Sequence, residues 1–258
     1  MRIVRFSDGS SPKYGFIKDD STRIFGLRGD PLFNQIELSG EVFELDEVRL
    51  LSPVIPRSKV VGVGRNYAAH VAEMGAEVPS EPVFFIKPNT SVIGPDDPIV
   101  LPRWSNHVEP EGELAVIIKT VAKDLNPEDV DDVVFGYTIG NDVSARDKQK
   151  LDGQWTRAKG FDSACPLGPW VVVDPELDVD NLRITTTVNG EVRQDDSTSS
   201  MIVGVRDLIV AASQVFTLLP GDVILTGTPA GVAPIQAGDR VSIEIEGIGT
   251  LTNPVLRR

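Results

Sequence analysis

Two glutamates at alternate positions are the first feature of this sequence that could do chemistry. Glu111 and Glu113 lie in HVEPEGELAVII (107–118), whose apolar second half predicts a strand. Side chains of a strand alternate between its faces, so both carboxylates project to the same side as Ala115 and Ile117. Two carboxylates on a buried face repel each other unless protons or a cation compensate them. A hard divalent cation, Mg²⁺ or Mn²⁺, is the natural compensator, and a solvated strand end is the alternative.

A third carboxylate and a histidine add to this set. In FGYTIGNDVSARD (135–147) an alternating strand pattern ends at Asp142, which places this residue at a strand end or in a simple turn. His70 and Glu73 are three residues apart on a predicted helix and share a face. A carboxylate orients an imidazole and raises its basicity, which suits a general base, although a surface pair has the same spacing. His107 could equally be a base or a ligand, but we assign no partner to it.

Two loops contain further candidate residues. Lys159 lies among glycine and apolar residues in QWTRAKGFDSACPLGPW (154–170), where it either stabilises an enolate or faces solvent. In GDVILTGTPAGV (221–232) a strand runs into a Thr- and Gly-rich loop, which is either a tight turn or a cradle for a substrate carboxylate. GVGRNY (62–67) is not a dinucleotide-binding loop, because Tyr67 stands where the third glycine is required.

The elements that must position these residues are mostly strands. Asn189-Gly190 predicts the turn of a hairpin over 182–194, because both residues tolerate positive φ. Residues 241–246 alternate in polarity, as a strand with one wet face does. Three short strands are predicted near the start of the chain, at 2–6, 13–18 and 23–27.

Helices are fewer. One is predicted over 67–74, capped by Asn66 and ended by Gly75. Others are predicted over 205–217, where apolar residues form one stripe, and over 127–134, which begins with a proline and acidic residues. Many strands, few helices and no βαβ rhythm indicate an α+β, mainly β, fold.

Composition narrows the class of protein. The chain has 258 residues, 41% of them hydrophobic, which is enough for a substantial core. Its net charge of −13 disfavours nucleic acid and anionic membranes as partners. Cys165 is the single cysteine, which excludes an internal disulfide and a cysteine metal cluster. With no secretory signal and no apolar run of ~20 residues, a cytoplasmic location is expected. Residues 1–50 predict a small N-terminal β domain, 51–59 a linker with two prolines, and 60–258 the catalytic domain.

Six segments in order resemble the fumarylacetoacetate hydrolase family, namely GRNYAAHVAEMG, FFIKPNTSVIGP, EGELAVII, GYTIGNDVSARDKQ, AKGFDSACPLGPW and LTGTPAGV. The resemblance covers residues 58–257, and the N-terminal segment is similar to the small β appendage of several bacterial members. It implies a mixed β-roll around a deep site, a homodimer, and a divalent cation, commonly Mg²⁺, held by Glu-x-Glu and an Asp.

The residues that this resemblance assigns are the metal ligands Glu111, Glu113 and Asp142, the catalytic pair His70 and Glu73 on a lid helix, and the substrate contacts Lys159, Gln149 and Thr228. Lys159 is also expected to hold the enolate. Lys87 and Arg146 match recurrent positions without a fixed role. Glu109 falls outside the ligand pattern. Arg65 is a candidate for binding a second substrate carboxylate on its charge alone.

The resemblance implies a Mg²⁺-dependent enzyme for small 2-oxo acids. We expect cleavage of a C–C bond, by acylpyruvate-type hydrolysis or oxaloacetate decarboxylation, through a metal-stabilised enolate. The His70–Glu73 pair favours cleavage, because activation of water needs a base. The alternative reaction is that of a 2-hydroxyhepta-2,4-diene-1,7-dioate isomerase or tautomerase in aromatic catabolism. The alternative of another class is a non-catalytic 2-oxo acid binding protein.

Overall fold

The structure, a computed structural model, describes residues 1–18 and 21–257. Strands predominate, which confirms the expected mainly β fold. In chain order they are β1 (Arg2–Ser7), β2 (Lys13–Ile17), β3 (Arg23–Leu27), β4 (Leu38–Glu44), β5 (Arg49–Leu51), β6 (Val60–Gly64), β7 (Val83–Lys87), β8 (Val92–Ile93), β9 (Ile99–Leu101), β10 (Val108–Glu109), β11 (Gly112–Ile118), β12 (Val134–Asn141), β13 (Ser144–Ala145), β14 (Cys165–Val172), β15 (Arg183–Val188), β16 (Glu191–Ser197), β17 (Val223–Leu225), β18 (Arg240–Ile245) and β19 (Gly249–Arg257). The α-helices are α1 (Ala68–Glu73), α2 (Val130–Val133), α3 (Arg146–Asp152), α4 (Thr156–Lys159) and α5 (Val205–Val215).

A large mixed sheet is the main structural element of the fold. Its strand order is β4-β3-β2-β1-β14-β12-β11-β17-β6-β7, with β5 paired to β1 and β8 to β14. A second sheet has the order β16-β15-β18-β19-β9, and a short ribbon pairs β10 with β13. The pairs β17–β6, β14–β8 and β19–β9 are parallel. The N-terminal strands extend the large sheet, because β1 pairs with β14. The boundaries of the predicted domains stay a prediction.

The register of three neighbouring strands gathers the candidate residues at one edge. β11 and β12 are antiparallel, with Glu113 opposite Gly140, so the start of β11 lies beside the end of β12. β17 runs antiparallel to β11 and parallel to β6, with Leu225 opposite Gly62. The loops that follow β6, β12 and β17 therefore open beside the start of β11. A side chain at Gly140 has no room, because its Cβ would lie 2.4 Å from Leu225 Cδ2.

Apolar side chains cover both faces of the large sheet. On one face, residues of β11, β12, the second sheet and α5 form the main core, including Leu114, Ile139, Ile243 and Leu208. On the other face, Ala115 and other residues of the central strands pack together in a smaller cluster. Burying these side chains stabilises the fold by roughly 1.5–3 kcal/mol each. None of the helices in the described ranges has the length and apolar character that crossing a bilayer requires.

Several local predictions are confirmed. The hairpin of β15 and β16 turns at Asn189 (φ 54°) and Gly190 (φ 82°), the positive values that such a two-residue turn needs. The helix predicted over 205–217 is α5, which ends two residues earlier than expected.

Two helix predictions need correction. Asn66 does not cap α1, whose N-cap is Tyr67. The Asn66 amide instead donates to the carbonyls of Val203 and Thr226 and accepts from the N–H of Val203, so it ties two distant loops together. The helix expected over 127–134 is a 3₁₀ turn, Pro127–Asp129, followed by the single turn α2, because β12 already begins at Val134.

Candidate active site

Three acidic side chains meet where β11 begins and β12 ends. Glu111 immediately precedes β11, Glu113 is the second residue of that strand, and Asp142 immediately follows β12. One carboxylate oxygen from each residue lies within 4.8 Å of the other two, and all three side chains are buried. The backbone N–H of Asp142 donates to the carbonyl of Glu111 at 2.9 Å, which fixes the spacing of the two segments. The structure therefore brings the three predicted metal ligands to one point.

Buried cations contact two of these carboxylates. Lys159 Nζ, at the end of α4, donates to Glu111 Oε2 at 2.7 Å and to Asp142 Oδ2 at 2.6 Å. Lys87 Nζ donates to the other oxygen of Asp142. Arg146 Nη2 contacts Glu111 Oε1. Each of these cations is at most 3% exposed, so the contacts form a network that solvent hardly screens.

Glu113 has no cationic partner within ion-pair distance in the described part of the chain. One of its oxygens accepts a hydrogen bond from the backbone N–H of Gly227, at 2.7 Å. Burial, and then the charges of Asp142 and Glu111, raise the pKa of the Glu113 carboxyl well above its usual range. The ionised form of this side chain thus requires a further positive charge.

The charged forms of Glu111 and Lys159 are favoured, unlike the charged form of Glu113. Burial opposes ionisation of Glu111, but the charges of Arg146 and Lys159 outweigh it and hold the pKa of this carboxyl well below its usual range. Burial also opposes the charged form of Lys159, but Asp142 and Glu111 outweigh it and raise the pKa of the ammonium group. Both side chains are therefore charged at neutral pH.

The donor set fits a divalent cation. Four buried carboxylates, counting Glu109, face three buried cations, Lys87, Arg146 and Lys159, so one negative charge is left without compensation. The ligand atoms are all carboxylate oxygens, which suit hard cations such as Mg²⁺ and Mn²⁺ and do not suit a thiolate-preferring metal.

The predicted histidine pair lies next to this cluster. His70 Nδ1 is 3.1 Å from Glu73 Oε2, and the ring is 7% exposed. Glu73 also accepts from the backbone N–H of Gly231, at 3.1 Å, so the loop after β17 holds the carboxylate in place. Since Nδ1 faces Glu73, Nε2 is the ring nitrogen left to exchange a proton with another group.

A cavity of about 220 Å³ joins the two groups. His70, Glu111, Glu113 and Lys159 all line it. The remaining predicted substrate contacts also line it, namely Arg65, Gln149 and Thr228. Glu73 is not among the lining residues and reaches the cavity through His70.

Thr228 differs from the expectation in one respect. Its hydroxyl donates to the carbonyl of Gly112 and accepts from Gln194 Nε2, both at 2.8 Å. The hydroxyl proton is therefore already used within the protein, and a substrate can only donate to this oxygen. Gln194 also accepts from the N–H of Gly112 at 3.0 Å, a buried bridge that sequence reasoning missed because it joins β16 to β11 across about 80 residues.

Two models of known families match the chain. The model described as fumarylacetoacetate (FAA) hydrolase C-terminal matches residues 59–256, and the one described as Rv2993c-like, N-terminal matches residues 1–53. The first match spans more than half of the chain. The chain belongs to the fumarylacetoacetate hydrolase family. The resemblance inferred from the six segments is thereby confirmed.

Relatives in this family cover almost the whole chain. Protein Rv2993c of Mycobacterium tuberculosis is 54% identical over 231 residues, which are 89% of this chain and 85% of that protein. The mitochondrial oxaloacetate tautomerase fahd2 of Xenopus laevis is 38% identical over an alignment of 288 residues, which covers 99% of this chain and 90% of that protein. The crystal structure of the 2-hydroxyhepta-2,4-diene-1,7-dioate isomerase from Mycobacterium marinum superposes with a TM-score of 0.90 at 47% identity, covering 100% of this chain and 99% of that one. The family's fold is therefore that of the whole described chain.

Proposed function

We propose that this protein is a divalent-metal-dependent enzyme that interconverts the keto and enol forms, or the double-bond isomers, of a small 2-oxo acid. The observation that carries the proposal is that one cavity is lined by His70, Lys159 and two of the three clustered carboxylates, Glu111 and Glu113, while the third, Asp142, bonds Lys159 behind them. Relatives named as an oxaloacetate tautomerase and a 2-hydroxyhepta-2,4-diene-1,7-dioate isomerase support this class of reaction.

Glu111, Glu113 and Asp142 would hold the cation, with Mg²⁺ as the first choice and Mn²⁺ equally suited to three carboxylates. A cation held there would polarise the 2-oxo group and offset the negative charge that develops when the neighbouring carbon loses a proton.

The chain's own residues supply the proton transfer. Glu73 fixes His70 through Nδ1, and Nε2 takes a proton from the carbon next to the 2-oxo group. Delivery of this proton to the enolate oxygen gives the enol, and delivery to a conjugated carbon gives the double-bond isomer; the reverse transfers return the ketone. The Lys159 ammonium is a charged donor for the enolate oxygen, and its two carboxylate contacts keep it beside the cluster. Gln149, Thr228 and Arg65 line the cavity and orient the rest of the substrate.

Cleavage of a C–C bond is the second candidate, and the His70–Glu73 pair is the observation that favours it. The Glu73 carboxylate is held by the N–H of Gly231 as well as by the His70 ring. The imidazole therefore has a fixed orientation, as does a histidine that activates water in a hydrolytic site. Proton transfer is the better supported reaction, because it needs only this base and a stabilised enolate, whereas cleavage also needs a positioned water or the departure of CO₂.

Incubation of the protein and Mg²⁺ with a panel of 2-oxo acids distinguishes these reactions. Ultraviolet absorbance follows the enol of oxaloacetate, and mass spectrometry counts product carbons. We expect faster enol–ketone interconversion with no change in mass, and loss of this activity in Glu111→Gln but not in the exposed strand variant Glu244→Gln. Shortened products would favour the second candidate. Metal-dependent binding of oxalate without turnover of any 2-oxo acid would show a non-catalytic binding protein instead.

We also propose that the protein forms a homodimer. Edge strands β4 and β7 of the large sheet carry the exposed apolar residues Leu38, Val42 and Ile86, and pairing with a second copy is a common way to cover such an edge. Light scattering should give a mass near twice 28.0 kDa, and a mass of 28.0 kDa at all concentrations would contradict the proposal.

A further inference from the structure

Glu109 is a buried carboxylate next to the cluster that the proposed chemistry does not use. It lies in β10, two residues before Glu111, and both of its oxygens are engaged. Oε1 is 2.7 Å from His107 Nε2, and Oε2 accepts from Arg146 Nε at 2.6 Å. Both oxygens of Glu109 thus have partners that lie outside the three-carboxylate cluster.

Arg146 connects Glu109 to the site. Its three nitrogens face three different residues: Nε donates to Glu109, Nη1 donates to Gln149 Oε1 at 2.9 Å, and Nη2 is in ion-pair contact with Glu111 Oε1. The guanidinium is planar, so fixing Nε fixes the directions of the other two nitrogens.

Backbone hydrogen bonds hold the segments that carry Glu109 and Arg146 next to each other. The ribbon of β10 and β13 places Glu109 opposite Ser144, and the N–H of Arg146 donates to the carbonyl of His107 at 2.8 Å. The Glu109 and Arg146 side chains are buried, whereas the His107 side chain is 44% exposed. The chain of contacts thus runs from the surface inward.

The contact with Gln149 determines which way its amide faces. A guanidinium can only donate hydrogen bonds, so Gln149 must turn its oxygen toward Arg146. Gln149 lines the cavity, and its NH₂ group is then left as a pair of donors for a ligand there. A reversed amide would present an acceptor to an anionic substrate and repel it.

We infer that Glu109, held by His107, is a positioning residue that orders Arg146 and, through it, orients the Gln149 amide as a donor to the carboxylate or carbonyl oxygens of the substrate. The inference rests on the proposed function, since it concerns the binding of a 2-oxo acid in the same cavity. Glu109 does not ligate the metal or exchange a proton with the substrate.

A double-mutant cycle of Glu109→Gln and Gln149→Ala tests this role. Glu109→Gln removes the negative charge that faces the Arg146 guanidinium, so Arg146 Nε keeps at best a neutral acceptor and the charge-assisted hydrogen bond is lost. We expect KM for oxaloacetate to rise ~10-fold, the typical effect of losing one charge-assisted hydrogen bond, while kcat changes much less. In the Gln149→Ala background, Glu109→Gln should raise KM no further.

Controls separate this role from a general loss of structure. Glu244→Gln removes an exposed carboxylate of β18 that lies outside this chain of contacts, and it should leave KM unchanged. His107→Ala removes only the outer contact with Glu109, so it should raise KM less than Glu109→Gln and, like it, have no effect in the Gln149→Ala background. This milder variant also serves if Glu109→Gln does not fold.

The possible results distinguish failure of the positioning role from failure of the proposed function. An unchanged KM in Glu109→Gln, or an increase that adds fully to that of Gln149→Ala, overturns the positioning role while leaving the proposed function intact. If the wild-type protein turns over no 2-oxo acid, calorimetric titration with Mg²⁺ and oxalate replaces KM. Weaker oxalate binding by Glu109→Gln then supports the inference, and equal binding overturns it. Failure of the wild type to bind oxalate overturns the proposed function and the inference together.

Discussion

Replacing Glu113 by glutamine distinguishes a metal ligand from a carboxylate that merely supports the fold. The Glu113 side chain accepts one backbone hydrogen bond, from Gly227, and contacts no cation in the described ranges. Its raised pKa means that the folded protein without metal holds a proton more tightly at this position than the unfolded chain does. Glutamine has the shape of the protonated acid and can accept the same hydrogen bond, so the metal-free variant should fold at least as well as the wild type.

The expected magnitudes follow from linkage. When the pKa of a carboxyl is higher in the folded state, the protein loses stability as pH rises above the pKa of that carboxyl in the unfolded chain. The free energy of unfolding then falls by up to ~1.4 kcal/mol per pH unit. The difference in unfolding free energy between Glu113→Gln and the wild type, both metal-free, should therefore grow in favour of the variant as pH rises above the usual pKa range of a glutamate. Mg²⁺ at a hundred times its dissociation constant should stabilise the wild type by about 2.7 kcal/mol. For a chain of this size that raises Tm by roughly 5–10 °C.

Thermal unfolding by circular dichroism, with EDTA or with Mg²⁺, measures both effects. The increase in Tm caused by Mg²⁺ should nearly vanish in Glu113→Gln and persist in the exposed strand variant Glu244→Gln. A metal-free Glu113→Gln that is several degrees less stable than the wild type, with an undiminished response to Mg²⁺, would refute the assignment of Glu113 as a ligand.

Three other substitutions give separate expectations. Lys159→Met leaves two buried carboxylates without their shared cation, so metal-free unfolding free energy should fall by about 3–5 kcal/mol and added Mg²⁺ should recover part of it; a loss that Mg²⁺ does not reduce would argue against a cation site there. His70→Ala should lower kcat ~10²–10⁴-fold with metal content unchanged, and Glu73→Gln should lower it less; equal rates would exclude His70 as the base. Gly112→Ala would place Cβ 2.3 Å from Thr186 Oγ1, so we expect a loss of about 1–3 kcal/mol in chemical denaturation, and wild-type stability would show that this contact relaxes.

The parts of the site that depend on local spacing were predictable from the sequence. The alternation of a strand placed Glu111 and Glu113 on one side, and helical spacing paired His70 with Glu73. The Asn-Gly turn was predictable for the same reason, since only the two central residues determine it.

Contacts between distant segments were not predictable in this way. Asn66 precedes a helix as a capping residue does, yet its amide joins loops about 140 and 160 residues away. Gln194 is buried because β16 passes close to β11 and to the loop that carries Thr228. Such contacts depend on sheet order, which local pattern does not determine.

The partners of the second histidine belong to this group too. His107 and Glu109 are two residues apart, a spacing that puts both on one face of a strand, and this was the one local signal of their contact. That Arg146 completes the arrangement follows only from the pairing of β10 with β13.

The central claim is that Glu111, Glu113 and Asp142 bind a divalent cation on which a 2-oxo acid is held. Anomalous diffraction from crystals grown with Mn²⁺ and oxalate tests it most directly. We expect one strong peak within bonding distance of all three carboxylates, with oxalate density beside it on the side of the cavity lined by His70. A map with no peak among these carboxylates, or with manganese only elsewhere on the protein, would contradict the claim.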